Sequence, residues 1–149
     1  MVIEIGSEDK IEQAILIATG LPQWFTSEAI KNIEIDLHHN HFFVAVESNQ
    51  VIGFICFTTY SGKALLLWMG VKVEAQGKGV GSMLLKKLED VVKQLGLHSI
   101  EVETLPDEDD YKPYKQTRNF YYKSGFECVL YKKATTEGWD DQILLEKKI

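Results

Sequence analysis

The chain contains little cysteine and little proline, and these shortages exclude several kinds of protein. Its 149 residues include 2 cysteines and 3 prolines. Cys56 and Cys128 do not form a Cys-x-x-Cys pair, so neither a disulfide framework nor a structural zinc site is indicated. We expect both cysteines to be small buried hydrophobic residues. No proline-rich or serine-rich linker divides the chain, and we interpret residues 1–149 as a single domain.

Long apolar runs are also missing. No stretch approaches the roughly 18 consecutive apolar residues that a membrane-spanning helix needs. The amino-terminal segment Met1–Gly6 lacks a charged start followed by an apolar core, so no export signal is indicated. The sequence therefore predicts a cytoplasmic protein that does not enter the membrane.

Positive charge is in short supply. The 16 lysines and arginines are outnumbered by 22 aspartates and glutamates, which gives a formal net charge of −6. Nucleic-acid binding depends mainly on neutralising phosphates, so this balance argues against nucleic acid as the main partner. A cationic or neutral substrate suits the charge better.

A glycine-rich turn between an apolar strand and an amphipathic helix is the most informative feature that is present. Gly77, Gly79 and Gly81 alternate along the segment Gln76–Ser82. Such a turn allows the backbone to approach a ligand closely, so that free N–H groups at the start of the helix point at one anion. The helix dipole adds about half a positive charge there. The spacing fits neither a P-loop nor the dinucleotide pattern G-x-G-x-x-G.

The remaining pattern, Gln76-x-x-Gly79-x-Gly81, resembles the pyrophosphate-binding loop of the GNAT superfamily of acetyl-CoA-dependent N-acetyltransferases. A second segment, Phe120-Tyr121-Tyr122-Lys123-Ser124-Gly125-Phe126, is similar to another signature of that family. The two occur in the family's order. The resemblance extends over about residues 42–145.

The resemblance implies that acetyl-CoA is the cosubstrate, with its pyrophosphate on the glycine-rich turn and its pantetheine arm along the preceding strand. A bulge beside Gly70 is expected to separate that strand from the next and to open a slot for the arm. No metal is implied. The cofactor-binding residues are then expected to be Val71, Val73, Gln76, Gly77, Lys78, Gly79, Val80, Gly81 and Ser82.

Three residues are candidates for catalysis. The family's motif places a tyrosine near the thioester sulfur at Tyr121, where a phenol can protonate the departing thiolate. The family often uses a glutamate as base, yet the cofactor strand Lys63–Val73 carries no carboxylate. Glu101 and Glu103 lie on one face of the next predicted strand, and Glu103 is nearer the cofactor end. The alternative interpretation is that both carboxylates belong to a solvated face of the strand and have no catalytic role.

One position departs from the family pattern. Many members carry an asparagine seven residues before the tyrosine, where this chain has Tyr114, while Asn119 lies elsewhere on the helix. The cofactor contacts of this helix therefore stay open.

Four further groups of residues have interpretations that leave function open. The segment 38–41, His-His-Asn-His, is interpreted as a solvated loop rather than a metal site. The segment Leu105–Asp110 is interpreted as a mobile acidic loop, with attraction of a cationic amine as the alternative. The basic residues around the second motif are interpreted as a solvated helix face; they are Lys112, Lys115, Arg118 and Lys123. Trp24, Phe25 and Trp139 are candidates for either core packing or the acceptor cleft.

The fold class that periodicity and resemblance predict together is α/β (α+β), a GNAT-like fold. It has a mixed central sheet of six to seven strands with about four helices, splayed between the fourth and fifth strands. A helix over Lys78–Gly96 and a strand over His98–Thr104 should form a βαβ unit with the preceding strand.

The predicted function is transfer of an acetyl group from acetyl-CoA directly to a primary amine of a small molecule or peptide. Two alternatives are a CoA-binding regulatory or interaction domain without turnover and a nucleotide-binding module that uses the same loop. The acceptor and the oligomeric state, including a homodimer, stay open.

Overall fold

Seven strands and four helices make up the computed structural model, which describes residues 1–149. The strands are β1 Val2–Ile5, β2 His41–Glu47, β3 Gln50–Tyr60, β4 Lys63–Val71, β5 Ser99–Thr104, β6 Glu127–Lys132 and β7 Gln142–Lys148. The helices are α1 Glu8–Thr19, α2 Ser27–His39, α3 Val80–Gln94 and α4 Lys112–Lys123. None of these helices is both long and apolar enough to span a membrane.

All seven strands form one mixed sheet in the order β1-β2-β3-β4-β5-β7-β6. Every neighbouring pair is antiparallel except β4 and β5, which are parallel because α3 crosses between them. Tight turns set the register of the amino-terminal meander. Ser48 and Asn49 both have positive φ between β2 and β3, as do Ser61 and Gly62 between β3 and β4. The predicted mixed sheet and helix number are confirmed.

The two faces of the sheet carry separate hydrophobic cores because neighbouring side chains on a strand point to opposite faces. Phe42 and Val44 pack with Phe54 and Cys56 under α1 and α2. The residues that alternate with these four, such as Phe43 and Phe57, pack on the opposite face with α3 and with Tyr121 of α4. The glycine-rich turn lies on this second side, at the start of α3.

The sheet splays between β4 and β5. Their pairing covers only the segment from Lys63 to Leu66 on β4, whereas β4 continues to Val71. Leu67 is an extra residue opposite β3, because Cys56 pairs with Trp68 and Phe57 pairs with Leu66. A bulge bends its strand and increases the local twist, so β4 leaves β5 at this point. The predicted splay is confirmed, but the bulge lies at Leu67 rather than beside Gly70.

Several local predictions are wrong. The β4 strand ends at Val71, because Val73–Ala75 form a short 3₁₀ turn. His38 and His39 belong to the last turn of α2 rather than to a loop, and Cys128 is exposed rather than buried. Cys128 is exposed because β6 lies at the edge of the sheet, where all its residues are exposed.

Candidate active site

The glycine-rich turn presents a row of free backbone N–H groups. Gly79 is the N-cap of α3 with φ 83°, and Gly77 has φ 75°, both in the left-handed region that favours glycine. The first hydrogen bond of the helix runs from the Met83 N–H to the Gly79 carbonyl at 3.0 Å. The N–H groups of Val80, Gly81 and Ser82 precede that bond, and no side chain caps them. These donors and the helix dipole suit an anion.

The space around the turn is open enough for a ligand. A Cβ atom added at Gly77 or Gly79 would meet nothing within 4 Å. At Gly81 it would lie 3.5 Å from the Phe120 ring, which is an ordinary contact. The residues of the turn therefore fit the pyrophosphate group that the sequence predicts for this place. Lys78 is exposed beside the turn.

Gln76 holds the turn against β4. Its side-chain amide donates a hydrogen bond of 3.0 Å to the carbonyl of Val71. The Val73 carbonyl accepts a bond of 3.2 Å from the Gln76 N–H and so closes the 3₁₀ turn. Both valines thus lie where the chain leaves β4 for the loop. The Val71 carbonyl is engaged by Gln76, and the Val73 carbonyl by the turn.

A cleft of about 520 Å³ runs from this turn along the splayed end of β4. Its walls come from β4, the start of α3, one face of α4 and the loop between α1 and α2. At the far end lie three apolar residues of that loop. The lining residues are Leu21, Trp24, Phe25, Met69, Gly70, Val71, Ala75, Gln76, Gly77, Gly79, Val80, Gly81, Ser82, Gln116, Thr117, Phe120 and Tyr121.

The loop between α1 and α2 is fastened to α4 across the cleft. The indole N–H of Trp24 lies 3.1 Å from the Pro113 carbonyl and 3.2 Å from Thr117 Oγ1, which both accept from it. The hydroxyl of Tyr111 donates to the Gln23 carbonyl at 2.9 Å. These long-range bonds hold the aromatic end of the cleft, which Trp24 and Phe25 line. Sequence spacing cannot predict such contacts, because the bonded residues are far apart in the chain.

Tyr121 is almost completely buried, with 4% of its surface exposed, yet it lines the cleft. Its ring packs edge-to-face on Phe126 with centroids 5.3 Å apart. Its hydroxyl makes no hydrogen bond to another protein group. Since no fully buried side-chain oxygen lacks a partner, this hydroxyl is open to the cleft. Burial raises the pKa of this hydroxyl above its ordinary value of 10.0, so the phenol keeps its proton throughout the neutral range.

The two candidate carboxylates lie outside the cleft. Glu101 is 2% exposed, accepts a 2.7 Å hydrogen bond from the Tyr60 hydroxyl, and lies 3.3 Å from the Lys63 ammonium. Glu103 lies beyond the last β4–β5 pair and forms an ion pair with Lys132. The sequence predicted their shared strand face, but it did not reveal these partners.

Arg118 fastens the acidic loop, which is a correction to its interpretation as part of a solvated helix face. The arginine is 2% exposed, and it donates to the carbonyls of Leu105 and Asp109 at 3.2 and 2.6 Å. It also lies 3.3 Å from an oxygen of Asp107, which accepts from the Tyr122 hydroxyl at 2.9 Å. The loop is therefore held in place at several points rather than free.

Other candidates lie apart from the cleft. Trp139 is 75% exposed and does not line it. Tyr114, at the family's asparagine position, packs on Tyr111 with ring centroids 4.8 Å apart, and Gln116 supplies the amide that faces the cleft from α4. No group of three or more histidine, cysteine or acidic side chains could hold a metal ion.

Some lining residues were missed by the sequence analysis. Thr117 lies four residues before Tyr121 and three residues before Phe120. This spacing places all three on one face of a helix. That spacing could have identified them. Leu21 and Met69 carry no such signal, because each reaches the cleft from a different element.

Comparisons with known proteins agree with this architecture. The sequence profile of an Acetyltransferase (GNAT) domain matches residues 38–128. An uncharacterized N-acetyltransferase from Methanocaldococcus jannaschii is 28% identical over 116 residues, which cover 75% of this chain and 69% of that protein.

Solved structures show the same fold. A protein assigned to the GNAT acetyltransferases from Desulfovibrio desulfuricans superposes with a TM-score of 0.87 at 22% identity, covering 99% of this chain and 98% of that one. The PaiA N-acetyltransferase of Thermoplasma acidophilum, solved in complex with coenzyme A, gives a TM-score of 0.74 at 25% identity. The match to PaiA covers 100% of both chains.

Proposed function

The chain belongs to the GNAT family of acetyltransferases, and on that premise we propose that it transfers the acetyl group of acetyl-CoA directly to a primary amine. The acceptor is a small molecule or a peptide. The observation that carries the proposal is one cleft with free N–H donors of the glycine-rich turn at one end and the buried phenol of Tyr121 in its wall.

The turn and the end of β4 bind the donor in this proposal. The N–H groups of residues 80–82 receive the pyrophosphate, and Gln76 keeps the turn in place by its bond to Val71. Lys78 approaches a phosphate from solvent. The pantetheine arm lies along the splayed end of β4, where β5 no longer supplies a neighbouring strand.

Transfer proceeds without a covalent acyl-enzyme. The neutral amine nitrogen attacks the thioester carbonyl carbon, the C–N bond forms and the C–S bond breaks. The departing sulfur takes the proton of the Tyr121 hydroxyl, and the nitrogen loses its extra proton to water. Tyr121 then recovers a proton from solvent. A phenol that stays protonated suits the role of an acid.

Of the two carboxylates, we propose Glu103 as the proton acceptor, acting through water. Its side chain is 38% exposed, and it lies beyond the part of β5 that pairs with β4. Glu101 is buried and engaged by Tyr60 and Lys63, which leaves it poorly suited to receive a proton during turnover.

The proposal is tested by incubating the protein with acetyl-CoA and a panel of primary amines while free thiol is followed. Amine-dependent thiol release supports acetyl transfer. Calorimetric binding of CoA with no release for any amine would instead support a CoA-binding domain without turnover. Displacement of CoA by excess ATP would support a nucleotide-binding module.

A further inference from the structure

We propose that the acceptor carries its amine on an apolar or aromatic group and has no second positive charge. This inference rests on the proposed function, because it concerns the acceptor end of the same cleft. It narrows the acceptor to aliphatic or aromatic monoamines, in contrast to polyamines or other multiply charged amines.

The lining of the cleft carries the inference. None of its residues is aspartate, glutamate, lysine, arginine or histidine. Phe120 of α4 adjoins the glycine-rich turn at Gly81, whereas Trp24 reaches the same helix farther away, at Pro113 and Thr117. The apolar residues Leu21, Trp24, Phe25 and Met69 line this part of the cleft. Phe25 packs edge-to-face on Trp68 of β4 with ring centroids 6.1 Å apart. A surface of this composition buries apolar groups and offers no counter-charge.

The hydrogen-bonding groups of the aromatic end are also occupied. The indole N–H of Trp24 is used by Pro113 and Thr117, and that of Trp68 donates to Asp36 Oδ2 at 2.6 Å. Of these two indoles, only that of Trp24 lines the cleft, so an acceptor meets its ring surface rather than a free N–H group.

No carboxylate lines the cleft, and those of the neighbouring elements contact other groups. Glu103 is paired with Lys132, and Asp36 receives the indole N–H of Trp68. In the acidic loop, Asp107 is bound by Arg118 and Tyr122, and Glu108 by Tyr131. Asp109 accepts from the Tyr111 N–H at 3.0 Å. None of these carboxylates lines the cleft, so none of them meets a second ammonium group that is bound there.

A second ammonium group in this cleft would lose its hydration without gaining a partner. Burial of an unpaired charge is costly, so a diamine binds worse than a monoamine of the same length. The reacting nitrogen avoids this cost by entering as the neutral amine. An apolar carrier, by contrast, gains from contact with the aromatic residues.

The test compares n-pentylamine with 1,5-diaminopentane, which differ only by the second amine, and includes 2-phenylethylamine. We expect kcat/KM for acetyl transfer to be at least about tenfold higher for n-pentylamine than for the diamine, and highest for 2-phenylethylamine. Calorimetric binding of each amine to CoA-saturated protein should follow the same order. Preference for the diamine in either measurement, or equal values, would overturn the inference.

Binding and turnover together separate this inference from the proposed function. If CoA and the monoamines bind but no amine releases thiol, the proposed acetyl transfer fails and the inference about the cleft stands. If thiol is released mainly with the diamine, the function stands and the inference fails. Failure of both monoamines to bind would also overturn the inference.

A charge introduced at Phe25 provides a matched test. The variant Phe25→Glu should lower kcat/KM for n-pentylamine and raise it for 1,5-diaminopentane, because it adds the missing counter-charge. Phe25→Leu, which stays apolar, should keep the preference for n-pentylamine. Ile35→Ala, a change at an exposed position of α2, should leave all values unchanged. An unchanged ratio in Phe25→Glu would contradict the assignment of Phe25 to the acceptor end.

Discussion

The left-handed conformation of Gly79 provides a sharp test of the cofactor loop. Gly79 has φ 83° and an open space around its missing Cβ, so an alanine there is opposed by backbone strain and not by a clash. Forcing an L-residue into this region costs about 1–2 kcal/mol. We therefore expect Gly79→Ala to lower the free energy of unfolding by about that amount and Tm by roughly 3–6 °C.

Gly81→Ala is the matched control, because Gly81 lies in the first turn of α3 and is not among the residues with positive φ. Its added Cβ would make only an ordinary contact with Phe120. Removing a helical glycine raises stability by up to about 1 kcal/mol. The two alanine substitutions should therefore change stability in opposite directions.

Binding of CoA, measured by calorimetry, should separate the same two variants. Relief of strain in Gly79→Ala turns the N–H groups of residues 80–82 away from one anion, so we expect Kd to rise at least about tenfold, or 1.4 kcal/mol. Gly81→Ala should stay within about threefold of wild type. Equal loss of affinity in both variants would refute the reasoning, since any side chain in the cleft would then be harmful. Wild-type behaviour of Gly79→Ala would refute it as well.

Three further changes test other parts of the site. Gln76→Ala removes the bond to the Val71 carbonyl and should weaken CoA binding about three- to tenfold, with less than about 1 kcal/mol lost in urea unfolding because the bond is exposed. Gln76→Glu also loses this donor and adds a negative charge beside the anion, so it should weaken binding at least as much. Unaltered affinity in both variants would contradict the role of Gln76. Arg118→Met leaves the carbonyls of Leu105 and Asp109 without their donor, so it should lower the free energy of unfolding by about 2–3 kcal/mol. The urea midpoint should fall by roughly 1 M. A loss below about 0.5 kcal/mol would show that the loop does not depend on Arg118. Burial, with help from Asp107, raises the pKa of Tyr122 from 10.0 to about 12, so the unfolded chain ionises first. The contribution of Tyr122 to the free energy of unfolding should therefore be constant below pH 10 and fall between pH 10 and about 12. Tyr122→Phe should reduce the fall measured in this range, and an equally steep fall in the variant would assign it to other groups.

Local pattern predicted most of the fold. Alternating and helical periodicities indicated the strands and helices, and the glycine spacing indicated the turn at the start of α3. Helix α3 starts at Val80 and ends at Gln94, close to the predicted range. These features are encoded within short stretches of sequence, where backbone geometry and hydrophobic patterning act directly.

The sequence could not predict features that depend on distant contacts. Arg118 resembles a surface residue of a charged helix, and its burial arises from carbonyls of the loop that precedes α4. Glu101 is buried because Tyr60 and Lys63 reach it from neighbouring strands. Cys128, just after the Gly125–Phe126 turn, was interpreted as a buried residue, but β7 inserts between β5 and β6 and leaves β6 at the edge. In each case, residues distant in the sequence decide the environment of the residue.

Thiol release by wild type, Tyr121→Phe and Tyr122→Phe tests the central claim most directly, namely that a buried phenol serves as the acid of acetyl transfer. The Tyr121 hydroxyl makes no hydrogen bond within the protein, so its loss should leave stability and CoA affinity nearly unchanged. We predict that kcat for the best amine falls about 100-fold or more in Tyr121→Phe and less than about threefold in Tyr122→Phe. Equal rates in wild type and Tyr121→Phe, with CoA binding intact, would contradict the account.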